Sequence, residues 1–104
     1  MSTETDVRFI EISMKNAGVV SLGEMGTESY NIYRIYDKDF KFNDVTYEVE
    51  IDEEKFKADF DQIIDLIANA MKNDEFIKIT MTNYNEIILI TRGSNISHLR
   101  FGSM

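Results

Sequence analysis

"IDEEKFKADFDQIIDLIANAMKND" (residues 51–74) is the stretch from which the rest of the chain is best read. Phe56, Phe60, Ile63, Ile64, Ile67 and Met71 recur at intervals of three and four, the spacing that gathers side chains into one stripe of an α-helix. Asp52 is suited to an N-cap, and Glu53 and Glu54 fall in the first turn, where the helix dipole favours anions. Lys72 lies near the carboxyl end, where cations are favoured, and Asn73 can close the helix in a left-handed conformation. A helix over about 53–72 follows. Burying each residue of its stripe contributes about 1.5–3 kcal/mol, more than any surface charge on it, so packing decides that it forms.

The segments on either side have the period of strands. In "VTYEVEI" (45–51), Val45, Tyr47, Val49 and Ile51 point one way and Thr46, Glu48 and Glu50 the other, which predicts one wet face. "YNIYRIY" (30–36) is rich in β-formers, and "DKDFKFND" (37–44) reads as the hairpin connection between these two strands. Beyond the helix, "FIKITMT" (76–82) and "EIILITR" (86–92) form a predicted hairpin about Asn83–Asn85. Its second strand is apolar on both faces and reads as central. "VRFIEISM" (7–14) alternates, "VVSL" (19–22) is a short candidate strand, and "ISHLRFG" (96–102) a final one.

The expected fold is therefore α+β: an antiparallel sheet of five or six strands with one helix across a face, ordered strands, helix, strands. A single domain over 1–104 is expected, with short tails at about 1–6 and 102–104. Phe9, Tyr33, Ile35, Phe76, Ile88 and Ile90 fall on faces the helix does not cover, which suggests a homodimer through the sheet.

Composition narrows the function classes. The chain has no cysteine, which excludes disulfides, thiolate metal sites and a cysteine nucleophile. No apolar run reaches the length of a membrane span and no secretory signal opens the sequence, so a cytoplasmic protein without membrane contact is expected. The formal net charge is −8, which opposes direct binding to nucleic acid. Its distribution is uneven. Residues 37–65 carry eleven acids against four lysines, whereas Lys78, Arg92 and Arg100 outnumber Glu86 over 76–104.

No catalytic constellation stands out. His98 is the single histidine, and no acid can be placed to orient it. "SLGEMGT" (21–27) matches no phosphate-binding loop, and Asp37, Asp39, Asn43 and Asp44 lack the glycine and closing glutamate of a calcium loop. The expectation is a non-enzymatic protein with no cofactor and no metal. Glu54, Asp61 and Asp65 share a helix face opposite the apolar stripe, and Asp61 and Asp65 are like charges four apart, an arrangement that costs a few tenths of a kcal/mol. Glu48 and Glu50 are positioned to extend that face, and Tyr33 and Tyr84 are contact candidates.

These seven residues make up the expected surface for a basic, nucleic-acid-binding protein partner, in the manner of an immunity protein or a phage anti-defence inhibitor. Two other readings are a homo-oligomeric assembly subunit and a sensor of an anionic ligand. The second of these would use His98, Arg92 or Arg100 at a site between subunits.

Overall fold

In the computed structural model, the structure describes residues 8–15, 18–23, 41, 44–52, 54–82 and 85–103. Among these residues, six strands and one helix follow in the order β1 (Arg8–Met14), β2 (Gly18–Gly23), β3 (Val45–Ile51), α1 (Phe56–Asn73), β4 (Phe76–Met81), β5 (Glu86–Arg92) and β6 (Ile96–Ser103). A 3-10 turn, Gly93–Asn95, joins β5 to β6. The expected strand over 30–36 and its hairpin with 45–51 lie outside the described residues.

The α+β class holds, but the single antiparallel sheet does not. Two three-stranded sheets form, ordered β2–β1–β6 and β3–β4–β5. β1 pairs antiparallel with both neighbours, and β4 pairs antiparallel with β5 as the sequence predicts. β3 and β4, however, run parallel. The reason is the length of α1. Eighteen residues of helix span about 27 Å, enough to carry the chain back along the seven residues of β3, about 23 Å, so that β4 starts beside β3's beginning. Parallel pairing needs a crossover connection of this kind, and β3, α1 and β4 together make a βαβ unit.

The core lies between the sheets and the helix. Ile10 and Ile12 of β1, Leu22 of β2, Val49 and Ile51 of β3, Ile77 and Ile79 of β4 and Leu89 of β5 pack with Phe56, Phe60, Ile63 and Ile67. Alternation along β1 and β4 holds, with every second side chain buried on this side. β5 departs from its expected central place. β4 occupies the centre of that sheet, and β5 lies at one end of the hydrogen-bonded order although Ile88, Leu89, Ile90 and Thr91 are all buried. A register shift between Ile79 and Thr80 leaves Ile88 without a partner position on β4, so that Ile88 and Leu89 both join the core cluster, while Ile90 is buried outside it.

Both ends of the helix differ from expectation by a few residues. α1 begins at Phe56, and Lys55 flanks it without a side-chain cap. Asp52 instead builds the turn before the helix: its Oδ1 accepts from the Glu54 amide at 2.9 Å and its carbonyl from the Lys55 amide at 3.0 Å. At the other end Asp74, rather than Asn73, takes the left-handed conformation (φ 51°, ψ 51°), and its amide donates to the Ala70 carbonyl. Ile64 and Met71 are half-buried while Ala70 is fully buried, so the inner stripe ends on a small residue.

That small residue is where the two sheets are joined. Gly93 lies against the helix so closely that a Cβ there would stand 1.8 Å from the Ala70 carbonyl oxygen and 2.8 Å from the Met71 Cα. The Gly93 amide donates to the Glu75 carbonyl (2.9 Å), the Ser94 amide to Asp74 Oδ1 (3.0 Å), and the Lys15 amide to the Asn95 carbonyl (2.9 Å). One corner thereby ties β1, the end of α1, β5 and β6 together. β6 then runs to Ser103, so Gly102 and Ser103, expected as tail, pair with Phe9 and Arg8.

Because backbone rather than a flexible side chain blocks the position, Gly93→Ala should cost about 3 kcal/mol or more, read as a lower urea midpoint. A midpoint within error of the native protein would show that the corner tolerates separation from α1.

Candidate partner-binding surface

The charge-bearing candidates are held on β3, on α1 and, for Glu54, in the turn that precedes the helix. Alternation along β3 turns Val49 and Ile51 inward and leaves Thr46, Glu48 and Glu50 exposed, as the sequence predicts. Glu48 Oε1 stands 3.5 Å from Lys78 Nζ on β4, its neighbour in the parallel register. Exposed pairs of this kind are worth little, so Glu48 remains available to a competing cation. Glu50 neighbours Thr80 and has no cation opposite it in the strand pairing.

Glu54, Asp61 and Asp65 are all exposed, and among the described residues none of the three forms a salt bridge. They do not, however, join Glu48 and Glu50 in a single face. The helix flank turned toward β3 carries Asp59, Gln62 and Leu66, and Asp61 follows Asp59 by two residues, about 200° round the helix. The acidic surface is therefore divided. One part is the helix flank with Asp61 and Asp65, and the other is the β3 side with Glu48, Glu50 and Asp59, while Glu54 lies in the turn before the helix. Tyr33 and Tyr84, expected as contact residues, lie outside the described residues, as do Asp37, Asp39 and Asn43 of the acidic loop.

A hollow of about 300 Å³ occupies the β3 side, between the strand and the helix. Val49, Ile63 and Leu66 supply its apolar lining, with Glu48, Glu50, Asp59 and Gln62 around them. Asp59 was not singled out from the sequence as a contact residue. Its spacing of three and seven from Gln62 and Leu66 was legible, but which flank of the helix meets β3 depends on the parallel crossover.

The cations do not converge. Arg92, on β5, stacks over the Phe76 ring (4.9 Å to its centroid) and reaches to 4.0 Å from Asp74 Oδ2. Arg100, on β6 in the other sheet, lies over Phe9 at 5.4 Å and 3.5 Å from Glu11 Oε1. His98 shares the exposed outer face of β6 with Arg100, as its spacing predicts, and its Nδ1 is 3.1 Å from Ser97 Oγ. Among the described residues, no group of three or more metal-ligating side chains comes together. Among the described residues, no helix is long and apolar enough to cross a membrane. The apolar residues that suggested a dimer are differently placed than expected: Phe76, Ile88 and Ile90 are buried within the chain, and Tyr33 and Ile35 lie outside the described residues.

No protein-family model, curated protein or solved structure matches the chain.

One titratable group of the corner is clearly perturbed. Hydrogen bonds from the Ser94 side chain and then its backbone hold the Asp74 carboxyl below its ordinary value of 3.8, against an opposing effect of desolvation, and the Arg92 and Lys15 charges lower it further. A depressed carboxyl stabilises the fold above its unfolded value and loses that contribution as pH falls through the folded one. Asp74→Asn keeps a residue that tolerates the left-handed backbone but removes the charge. It should lower the urea midpoint near neutral pH, and the gap to the native protein should close as pH falls below 3.8. A gap of constant size through that range would contradict the assignment.

Proposed function

We propose that this protein is a non-enzymatic binding module that blocks or modulates a basic protein partner, one whose own work is with nucleic acid. The observation that carries the reading is the concentration of exposed carboxylates on β3, on α1 and in the turn between them, since Glu48, Glu50, Glu54, Asp61 and Asp65 all face solvent. Stability does not call for this layout: Asp61 and Asp65 repel each other one helical turn apart, and Glu50 has no cation opposite it. Carboxylates spaced along a rigid strand and helix offer a groove built for phosphates a comparable pattern of negative charge. The attraction between net-negative protein and basic partner also raises the rate of encounter.

An inhibitor of this kind needs neither cofactor nor catalytic group, and its affinity falls as salt rises. The divided acidic surface suits a partner that grips the domain around α1, with the β3 side and the Asp61/Asp65 flank contacting different basic segments. Reading the chain as an anionic-ligand sensor gains no support from Arg92 and Arg100, which lie on separate sheets with aromatic and carboxylate neighbours of their own.

The test is affinity capture from a lysate of the source or its host, eluted along a salt gradient, beside a variant with Glu48, Glu50, Asp61 and Asp65 all changed to lysine. The variant should keep the native circular dichroism spectrum. The native protein should retain a nucleic-acid-binding protein that salt releases, and the variant should not. Equal retention of the same proteins by both would remove the acidic surface from the account.

A further inference from the structure

β6 follows β5 directly, yet it leaves that sheet and pairs with β1 in the other. Its eight residues form an antiparallel ladder, from Ile96 opposite Met14 to Ser103 opposite Arg8. Its side chains add little to the core: Ile96 is buried and Leu99 partly so, while Ser97, His98, Arg100, Phe101 and Ser103 are exposed. β1, by contrast, buries Ile10, Ile12 and Met14. Most of what holds β6 is therefore backbone pairing, and β6 of another copy makes the same ladder equally well.

What keeps β6 in its own molecule is the turn before it. The Gly93 amide donates to the Glu75 carbonyl, the Ser94 amide to Asp74 Oδ1, the Lys15 amide to the Asn95 carbonyl and Asn95 Nδ2 to Thr91 Oγ1. Arg92 before the turn (ψ 144°) and Ile96 after it (ψ 121°) are already extended. Straightening three residues would thus make β5 and β6 one continuous strand. None of the three has a positive φ, and the first is glycine, so extended backbone is open to each of them.

We propose that Gly93–Asn95 is a hinge for strand exchange, and that the partner it serves is a second copy of this chain: with the hinge straightened, β6 of each copy pairs with β1 of the other. The inference is independent of the basic-partner reading. The exchanged dimer repeats every β1–β6 contact of the monomer, so the two states differ in the hydrogen bonds of the turn and in the entropy of joining two chains. Both favour the monomer, as does the net charge of −8. Gly93 sets the balance. A Cβ at this position would stand 1.8 Å from the Ala70 carbonyl oxygen while the turn is closed, and an extended hinge moves away from that contact. A side chain at residue 93 therefore penalises the monomer and spares the exchanged dimer.

The chain has no cysteine, so engineered disulfides can report the exchange. Ser13 and His98 are register partners across β1 and β6. Two chains, one with Ser13→Cys and one with His98→Cys, are mixed in urea near the unfolding midpoint, refolded at high protein concentration and oxidised. In an exchanged dimer the two thiols stand side by side and the disulfide joins unlike chains. Chance collision of monomers joins like chains as often as unlike ones.

Gly93→Ala in both chains should raise the unlike-chain disulfide about tenfold or more over the native hinge, and should give a dimer by light scattering. Where the alanine variant does not refold, Asp74→Gly decides: it keeps the left-handed backbone, removes the carboxylate that takes the Ser94 amide, and should also favour the dimer. A monomer in the deciding variant, or like-chain disulfides as frequent as unlike ones, would overturn the hinge.

Discussion

The close approach of Gly93 to the end of α1 is the constraint on which much of the rest depends. The helix can bury Phe56, Phe60, Ile63 and Ile67 only if both sheets come to it, and the chain visits the two sheets in an interrupted order, with β1 and β2 first, β3 to β5 next and β6 last. The 3-10 turn at Gly93–Asn95 is where it crosses back. With Ala70 on the helix and no side chain at Gly93, backbone meets backbone, and the hydrogen bonds to Asp74, Glu75 and Lys15 hold the crossing in place. The individual bonds are modest, about 1 kcal/mol each, but they act on one corner that determines where every later residue pairs.

Electrostatics follows from that architecture rather than shaping it. Hydrophobic burial along α1 outweighs the mutual repulsion of Asp61 and Asp65, so the acidic flank is tolerated by the fold without being required by it. The parallel crossover has the larger consequence. It turns one flank of α1 toward β3 and the other away, and so separates Glu48, Glu50 and Asp59 from Asp61 and Asp65. Each set retains a rigid backbone beneath it. The β3 set also borders a hollow with an apolar lining.

Much of the local structure was legible in the sequence. The three- and four-residue spacing of α1, the alternation of β3 and the hairpin of β4 and β5 were read close to their observed limits, because each depends on neighbours a few residues away. The pairing of strands was not. The parallel relation of β3 and β4 depends on the helix carrying the chain back along the sheet, and the division into two sheets depends on a glycine whose importance lies in its contact with Ala70, more than twenty residues earlier. Glu48, Glu50, Glu54, Asp61 and Asp65 were correctly read as exposed, since polar residues off a buried stripe face water. Their grouping was read as one surface because a helical wheel gives angles within a helix but says nothing about which flank a strand will meet. The buried positions of Phe76, Ile88 and Ile90 likewise depend on packing between elements, which strand alternation alone does not determine.

The central claim is that α1 carries the chain back along the sheet, so that β3 and β4 pair in parallel and one flank of the helix meets β3. Backbone nuclear Overhauser contacts between β3 and β4, measured on the free protein, test it most directly. The account predicts contacts that keep the parallel register, with Glu48 beside Lys78 and Glu50 beside Thr80. Contacts that run in opposite senses along the two strands would contradict the crossover and the division of the acidic surface that depends on it.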